Sequence, residues 1–240
     1  MVKDYDVICF DAGGTLLAPY PSVGIIYSQV ALRHGCHADP HAIEVRFHEV
    51  WQKVDALAHL VSHSSEKVEK EWWHRLVKEV FISFGGGPGN FDVFFEELYE
   101  LFARPECWRL FPESVEVLEA LKARGKKLCV ISNWDSRLLK LCDGLGISQY
   151  FDFILISAVF GASKPSRRIF DEAMSRFGVH PSRAVHVGDS LEDDVRGARS
   201  AGLEAVFIDR RRRSHGQPEA FNNTLVIHDL KELLHPSGGV

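Results

Sequence analysis

The sequence predicts an α/β fold: a doubly wound, Rossmann-like parallel sheet carrying an inserted block of helices. Three observations predict it. Short apolar runs rich in β-branched residues recur at 7–10, 128–131, 153–156, 184–187 and 205–208, without the alternation of a half-exposed strand, as strands buried on both faces do. Amphipathic stretches that stop at a glycine separate the later runs, the strand–helix alternation that builds a parallel sheet. The interval from 22 to 102 has helical patterning and almost no strand signal.

The elements follow in order. The first run, Val7–Phe10, enters Asp11-Ala12-Gly13-Gly14-Thr15 and so reads as a buried strand ending at a glycine turn. Helical patterns cover 23–34, 42–60, 67–84 and 91–102, broken by Pro40 and by the glycine-rich stretch 85–89. An insertion there lies over the C-terminal ends of the strands, where α/β sheets bind ligands. A helix over 114–124 presents Val115, Val117, Leu118 and Leu121 and stops at Gly125. The run 128–131 leads to a helix over 136–145. After 153–156 comes a helix over 167–177, stopped by Gly178; after 184–187 comes one over 191–201, stopped by Gly202. The run 205–208 follows, then a weaker one at 225–227.

Composition narrows the function. The 240 residues are 45% hydrophobic, enough for one large core or a core plus a smaller domain. A net charge of −5 gives no general attraction to nucleic acid or an anionic membrane. The five cysteines form no CxxC pair, and Cys9, Cys129 and Cys142 sit in apolar surroundings, as buried thiols in a reducing compartment do. The N-terminal apolar run is short and broken by Asp11, so the expectation is a cytoplasmic protein without signal peptide or membrane span.

Chemistry-bearing residues gather at the strand ends. Asp11 ends the first strand, and a carboxylate there can attack phosphorus or carbon; taken alone, the motif favours a strand-ending turn residue. Gly14 and Thr15 offer backbone amides to an anion. Ser132 and Asn133 end the second run and can donate to a phosphate oxygen, although Ser-Asn is also ordinary helix-capping chemistry. Lys164, in the loop after the third run, can hold a nucleophile's charge and a phosphoryl charge together, or be a solvated surface lysine. Gly188-Asp189-Ser190 follows the fourth run, with Glu192, Asp193 and Asp194 behind. Clustered carboxylates need a cation or a proton, and hard oxygens suit Mg²⁺, while the helix dipole explains Glu192 by itself. Taken together, Asp, Ser-Asn, Lys and Asp fall at successive strand ends in one crevice.

That order, Asp11 to Thr15, Ser132, Lys164, Gly188-Asp189 with Asp194, resembles the four motifs of the haloacid dehalogenase superfamily, and 131–138 and 188–198 are similar to the subgroup of REG-2-like, haloacid dehalogenase-like domain-containing 3 proteins. The resemblance spans nearly the whole chain. It implies a core domain of residues 1–17 and 109–240 and a helical cap domain of residues 18–108. It implies a Mg²⁺-dependent hydrolase, a phosphatase acting on a small phosphorylated metabolite through an aspartyl-phosphate intermediate. Asp11 would be nucleophile and metal ligand, the Gly13 carbonyl and Asp189 further ligands, Ser132 a phosphoryl-binding hydroxyl and Lys164 the cation steadying Asp11. Asp194, rather than Asp193, would support the metal from behind.

One position departs from the pattern. Phosphatases of the superfamily usually carry a second Asp two residues after the nucleophile, as general acid and base; here that residue is Gly13. General acid–base help is worth roughly 10²–10⁴ in rate, so slow or selective hydrolysis follows, with acyl or aryl phosphates favoured over alkyl esters. A water or a residue of the inserted helices (His48, Glu49, His59, His63) could replace the acid. Three alternatives stand: carbon–halogen hydrolysis, phosphonate cleavage using a lysine such as Lys53, and a catalytically weak binding protein on the same scaffold. Trp134 adjoins Ser132-Asn133 and either walls the crevice or packs the core. Trp72-Trp73 and Phe94-Phe95 read as helix-packing residues, the run of arginines at 210–213 as a solvated loop, and Tyr20-Pro21 as a hinge.

Overall fold

The computed structural model of the protein describes residues 4–58, 65–210 and 224–234. At its centre, β1 (Val7–Phe10) is wholly buried. Ile8 and Phe10 belong to one hydrophobic cluster and Val7 and Cys9 to another, on opposite faces of the sheet. Successive side chains of a strand point to opposite faces, so a strand covered on both sides must be apolar throughout. The sheet is completed by β4 (Lys127–Ser132), β5 (Phe153–Ile156), β6 (Ala184–Gly188), β7 (Glu204–Ile208) and β8 (Leu225–Ile227), in the order β5-β4-β1-β6-β7-β8. Each neighbouring pair is parallel.

Register brings the strand ends level. Phe10 lies opposite Val130 on one side and Val187 on the other. The chain therefore leaves the sheet at Asp11, just after Ser132 and at Gly188-Asp189 within about one residue of the same height. Strands β4 and β6 lie on opposite sides of β1, so this is a switch point in strand order, where a crevice opens. Helices cover both faces. Helix α5 (Ser114–Ala123) buries Val117, Leu118 and Leu121 in the cluster of Ile8 and Phe10, and α6 (Arg137–Gly144) adds Leu138 and Cys142. Helix α8 (Arg167–Phe177) buries Ile169, Phe170, Ala173 and Met174 on the other face and ends at Gly178, whose φ of 64° is left-handed. A one-turn helix, α7 (Ser157–Phe160), follows β5.

The expected helix over 191–201 is not continuous. Residues Leu191–Arg196 form a wide π-type turn before the single turn α9 (Gly197–Ser200). The Ser190 carbonyl accepts from both Asp194 N (3.1 Å) and Val195 N (3.2 Å), because the Asp194 carboxylate is anchored beneath the turn by Ser190 N, His186 and Lys164. Two further strands, β2 (Leu17–Pro19) and β3 (Trp108–Leu110), pair antiparallel at the base of the helical block. Three residues are too few for periodicity to reveal.

Between them lie α1 (Val23–Arg33), α2 (Pro40–Ala58), α3 (Glu66–Ile82) and α4 (Phe91–Leu101), around a hydrophobic cluster of their own. Phe94 and Phe95 are buried in it, and Trp72 and Trp73 meet edge-to-face at 4.8 Å against it, a packing role as expected. The block touches the sheet at the strands' C-terminal ends. Ser136 N donates to Glu66 Oε1 (2.9 Å), Ser157 Oγ to Glu69 Oε1 (3.1 Å) and Tyr99 Oη to Asp135 Oδ2 (3.0 Å). The Arg137 guanidinium lies 3.4 Å over the Tyr99 ring centroid. No helix among the described residues is long and apolar enough to cross a membrane, and the five cysteines are free thiols.

Candidate active site

The crevice is built around one oxygen of Asp11. Ser132 Oγ donates to Asp11 Oδ1 at 3.0 Å and Lys164 Nζ donates to the same atom at 2.7 Å. Among the described residues no group donates to Oδ2. Lys164 also donates to Asp194 Oδ1 at 2.5 Å. The side chains of Asp11, Lys164 and Asp194 are all largely removed from solvent, while Asp189 stands exposed at the mouth. Oxygens of Asp11, Asp189 and Asp194 lie within 4.8 Å of one another; Asp193 is not in this cluster. The structure thus brings Asp11, Ser132, Lys164, Asp189 and Asp194 together from four strand ends.

Burial and crowding set the charges. Burial raises the Asp11 pKa and the Asp194 charge adds to that, outweighing Lys164, so the carboxyl stands above its ordinary range. For Asp194 burial also works against the charge, but Lys164 and His186 prevail and hold it well below that range. Burial disfavours the Lys164 ammonium, yet its two carboxylate partners raise its pKa above the usual lysine value. The Asp189 carboxyl is pushed well up by its enclosing protein atoms and by Asp11 and Asp194. Since Asp189 is open to solvent, like-charge repulsion is the firmer of those causes.

Several expected contacts are rearranged. Asn133 does not face the crevice with a free amide: its Oδ1 accepts from Lys164 N (2.7 Å) and its Nδ2 donates to Lys164 O (3.0 Å). That clasp holds the Lys164 backbone and replaces the expected phosphate contact. The Gly14 amide donates to Leu17 O at 2.8 Å and is therefore spent inside the loop. Thr15 is fully buried, and its Oγ1 has no hydrogen-bond partner. Gly14 has another reason to be glycine: its φ is 75°, and a Cβ there would lie 2.1 Å from Asp189 Oδ2. At Gly188 a Cβ would collide with the Asp194 carboxylate at 2.1 Å, so that glycine lets Asp194 fold under the strand end.

Two residues outside the motifs complete the support. His186, in the middle of buried β6, shares a hydrogen bond of 2.8 Å with Asp194 through Nε2. Burial lowers its affinity for a proton, but its hydrogen bonds with Asp194 and Cys9 and the Asp194 charge together raise it by more. A histidine inside an otherwise apolar strand was the available signal. Arg210, expected in a solvated loop, is a clamp instead: it donates to Gly14 O (3.1 Å), Thr15 O (2.6 Å) and Glu113 Oε1 (2.7 Å) and stacks 3.4 Å over Phe111. Residues 211–213 lie outside the described residues. Arg210→Met is expected to destabilise the fold by about 1–3 kcal/mol, since Glu113 is left buried with fewer donors. Arg210→Lys, which keeps the charge without the fork, should recover only part of it. Urea unfolding of both variants measures this.

The donor set fits a small hard cation. Among the described residues Asp11 Oδ2 and the Gly13 carbonyl accept no hydrogen bond and the Asp189 carboxylate has no cationic partner within ion-pair distance, while Lys164 is the cation shared by Asp11 and Asp194. Such a set of hard oxygens could hold a divalent ion. Asp194 is less suited to direct ligation, because Lys164 and His186 donate to its Oδ1 and Ser190 N to its Oδ2 (3.0 Å). Of the candidate replacements for the missing acid, His48 bonds the Glu44 carbonyl (2.8 Å) and Glu49 pairs with Arg46 (3.2 Å); His59 and His63 lie outside the described residues.

Comparison with known proteins identifies relatives along most of the chain. The family model described as haloacid dehalogenase-like hydrolase matches residues 5–202. The haloacid dehalogenase-like hydrolase domain-containing protein 3 of Bos taurus is 31% identical over 210 residues, covering 84% of this chain and 81% of the bovine protein. The phosphoserine phosphatase of Thermus thermophilus is 38% identical over 162 residues, 66% of this chain and 62% of its own length. The crystal structure of a HAD phosphatase from Thermococcus onnurineus superposes with a TM-score of 0.64 and 28% identity over 95% of each chain.

Proposed function

The chain belongs to the haloacid dehalogenase-like hydrolase family, and on that premise we propose that it is a Mg²⁺-dependent phosphohydrolase acting on a small phosphorylated metabolite in the cytoplasm through an aspartyl-phosphate intermediate. The observation that carries this is the position of Lys164 Nζ and Ser132 Oγ on a single oxygen of Asp11, inside a cluster of carboxylates. The two donors orient the carboxylate and leave Oδ2 facing the crevice. Asp11 Oδ2 attacks phosphorus, the bond from phosphorus to the leaving oxygen breaks, and the electron pair departs with that oxygen. Lys164 keeps a third N–H for the transferring phosphoryl oxygens as charge accumulates on them, and Ser132 turns its single O–H from Asp11 to them when the substrate binds. Water then attacks the phosphorus of the acylphosphate, releasing inorganic phosphate and restoring the Asp11 carboxylate.

Asp11, the Gly13 carbonyl and Asp189 would hold Mg²⁺, with Asp194 fixing Lys164 behind them. When bound, the ion supplies positive charge that neutralises the carboxylates and the phosphoryl group. The helical block, as a cap domain of residues 18–108 over a core of 1–17 and 109–240, would exclude water from the crevice; its contacts at Ser136, Asp135 and Ser157 support that placement. The free thiols suit a reducing compartment.

The expected result is Mg²⁺-dependent release of phosphate from acetyl phosphate and p-nitrophenyl phosphate, abolished by EDTA and restored by excess Mg²⁺. Halide release from a 2-haloacid that survives EDTA would overturn the proposal in favour of carbon–halogen hydrolysis. Borohydride trapping of a phosphonoaldehyde on a lysine would favour phosphonate cleavage; Lys53 is exposed on α2. A non-enzymatic binding protein would show no turnover and no beryllofluoride adduct on Asp11.

A further inference from the structure

We propose that Trp134 is the leaving-group specificity determinant of this site: the benzo edge of its indole fills the space beside Gly13, so the departing group meets an apolar wall and not a proton donor. This rests on the phosphohydrolase function proposed above. It restricts the substrates to acyl phosphates and aryl phosphates of low leaving-group pKa.

Gly13 follows the nucleophile by two residues and Trp134 follows Ser132 by two. Since Ser132 touches Asp11, the two loops run side by side. A Cβ on Gly13 would lie 3.3 Å from Trp134 Cζ3 and 4.0 Å from Cη2, with no other atom of the described residues outside its immediate chain neighbours within 4 Å. The first distance is tighter than an ordinary van der Waals contact, and any longer side chain would need the ring to move. The backbone does not require glycine here, because Gly13, unlike Gly14, is not in the left-handed region. What constrains position 13 is the indole.

The indole is itself held. Trp134 N donates to Ser157 Oγ (3.0 Å), and Trp134 O accepts from Ala158 N (3.1 Å). Its ring packs 4.9 Å from that of Trp108, which is fixed in turn by Nε1 donating to Phe102 O (3.0 Å). Carbons Cζ3 and Cη2 belong to the six-membered ring, away from the indole N–H, so the edge facing Gly13 offers no donor. A leaving oxygen beside it departs with its electron pair and takes no proton from this wall. A carboxylate or an acidic phenolate leaves readily on those terms, and an alkoxide does not.

The test is a four-member cycle of wild type, Gly13→Asp, Trp134→Ala and the double variant. Each is assayed with Mg²⁺ on acetyl phosphate, aryl phosphates of graded leaving-group pKa and an alkyl phosphate, and each is unfolded in urea. Wild type should show a steep fall of rate with leaving-group pKa. Gly13→Asp alone should lower the urea midpoint and raise alkyl phosphate turnover far less than the double variant does. The double variant should raise alkyl phosphate turnover at least about tenfold over wild type, and Gly13→Asp should lower the midpoint less in the Trp134→Ala background than in wild type. A Gly13→Asp single variant as active on alkyl phosphate as the double, or additive stability effects, would overturn the role of Trp134. So would a flat leaving-group dependence in wild type. If wild type hydrolyses no phosphate at all, the phosphohydrolase function falls and the leaving-group role with it, whereas the stability cycle still reports whether the indole occupies the space beside Gly13.

Discussion

Asp11→Asn is expected to lower phosphate turnover by roughly 10⁴-fold or more while leaving the protein at least as stable as wild type. The chemical half of this follows from the attacking atom. An amide has no lone pair able to form a hydrolysable acyl phosphate, and neither Ser132 nor Lys164 can stand in, since both act through Asp11 Oδ1. The stability half follows from the charge. Burial and Asp194 place the Asp11 pKa above the ordinary range, so the folded state holds this anion at a cost. A neutral amide of the same shape removes that cost, and Lys164 keeps Asp194 as a partner. An inert variant with unchanged or raised melting temperature is the signature of a group kept for chemistry. Phosphate release and thermal unfolding measure the two halves; residual turnover within tenfold of wild type would contradict the nucleophile assignment.

Lys164→Met should have the largest effect on stability, a loss of about 3–5 kcal/mol near neutral pH in metal-free buffer, as for a buried ion pair deprived of one partner. It leaves Asp11, Asp189 and Asp194 close together with their shared cation gone. The pH dependence carries the sign. Because the pKa of folded Lys164 is raised, its contribution is complete at all pH values below the unfolded lysine pKa and is lost only as pH rises through the folded value, so the mutation removes all of it at neutral pH. In wild type the depressed pKa of Asp194 gives stability present above the unfolded carboxylate pKa and lost as pH falls through the folded value. Asp11 and Asp189 have raised pKa values, so their charges cost stability at neutral pH, and the cost is relieved on acidification. Removing Lys164 deprives Asp194 of the cation that depresses it and deepens the other two costs. The variant should therefore gain stability between about pH 7 and about pH 5, and should gain more than wild type from Mg²⁺. Urea unfolding at both pH values, with and without the ion, checks this. A variant whose deficit is unaffected by pH and by Mg²⁺ would mean that Lys164 acts by packing alone.

The sheet was legible because its signals are local. A strand covered on both faces must be apolar at each position, and Val7–Phe10 and Phe153–Ile156 announce this with no information from elsewhere in the chain. The reactive residues were legible for a related reason: in a parallel sheet each strand's C-terminal end opens on the same edge, so Asp11, Ser132, Lys164 and Asp189 could be placed near one another by counting strands. Register then made those ends level, which the order of the motifs implies but does not measure.

What the sequence determined by itself was the layered fold, the order of its strands' chemistry and the absence of a carboxylate two residues past Asp11. Only the tertiary structure decided the partners. Asn133 turns inward to clasp Lys164, Arg210 reaches back across 196 residues to the Gly14 carbonyl, His186 meets Asp194 inside the core, and Trp134 occupies the flank of Gly13. The choice of Asp194 over its neighbour Asp193 depends on a π-type turn that rotates the carboxylate under the strand end. Periodicity and motif spacing report which way a residue faces relative to its own backbone. Which atom it meets is settled by packing between segments far apart in the chain, where a single hydrogen bond or ring edge selects one contact among several that the local pattern allows equally.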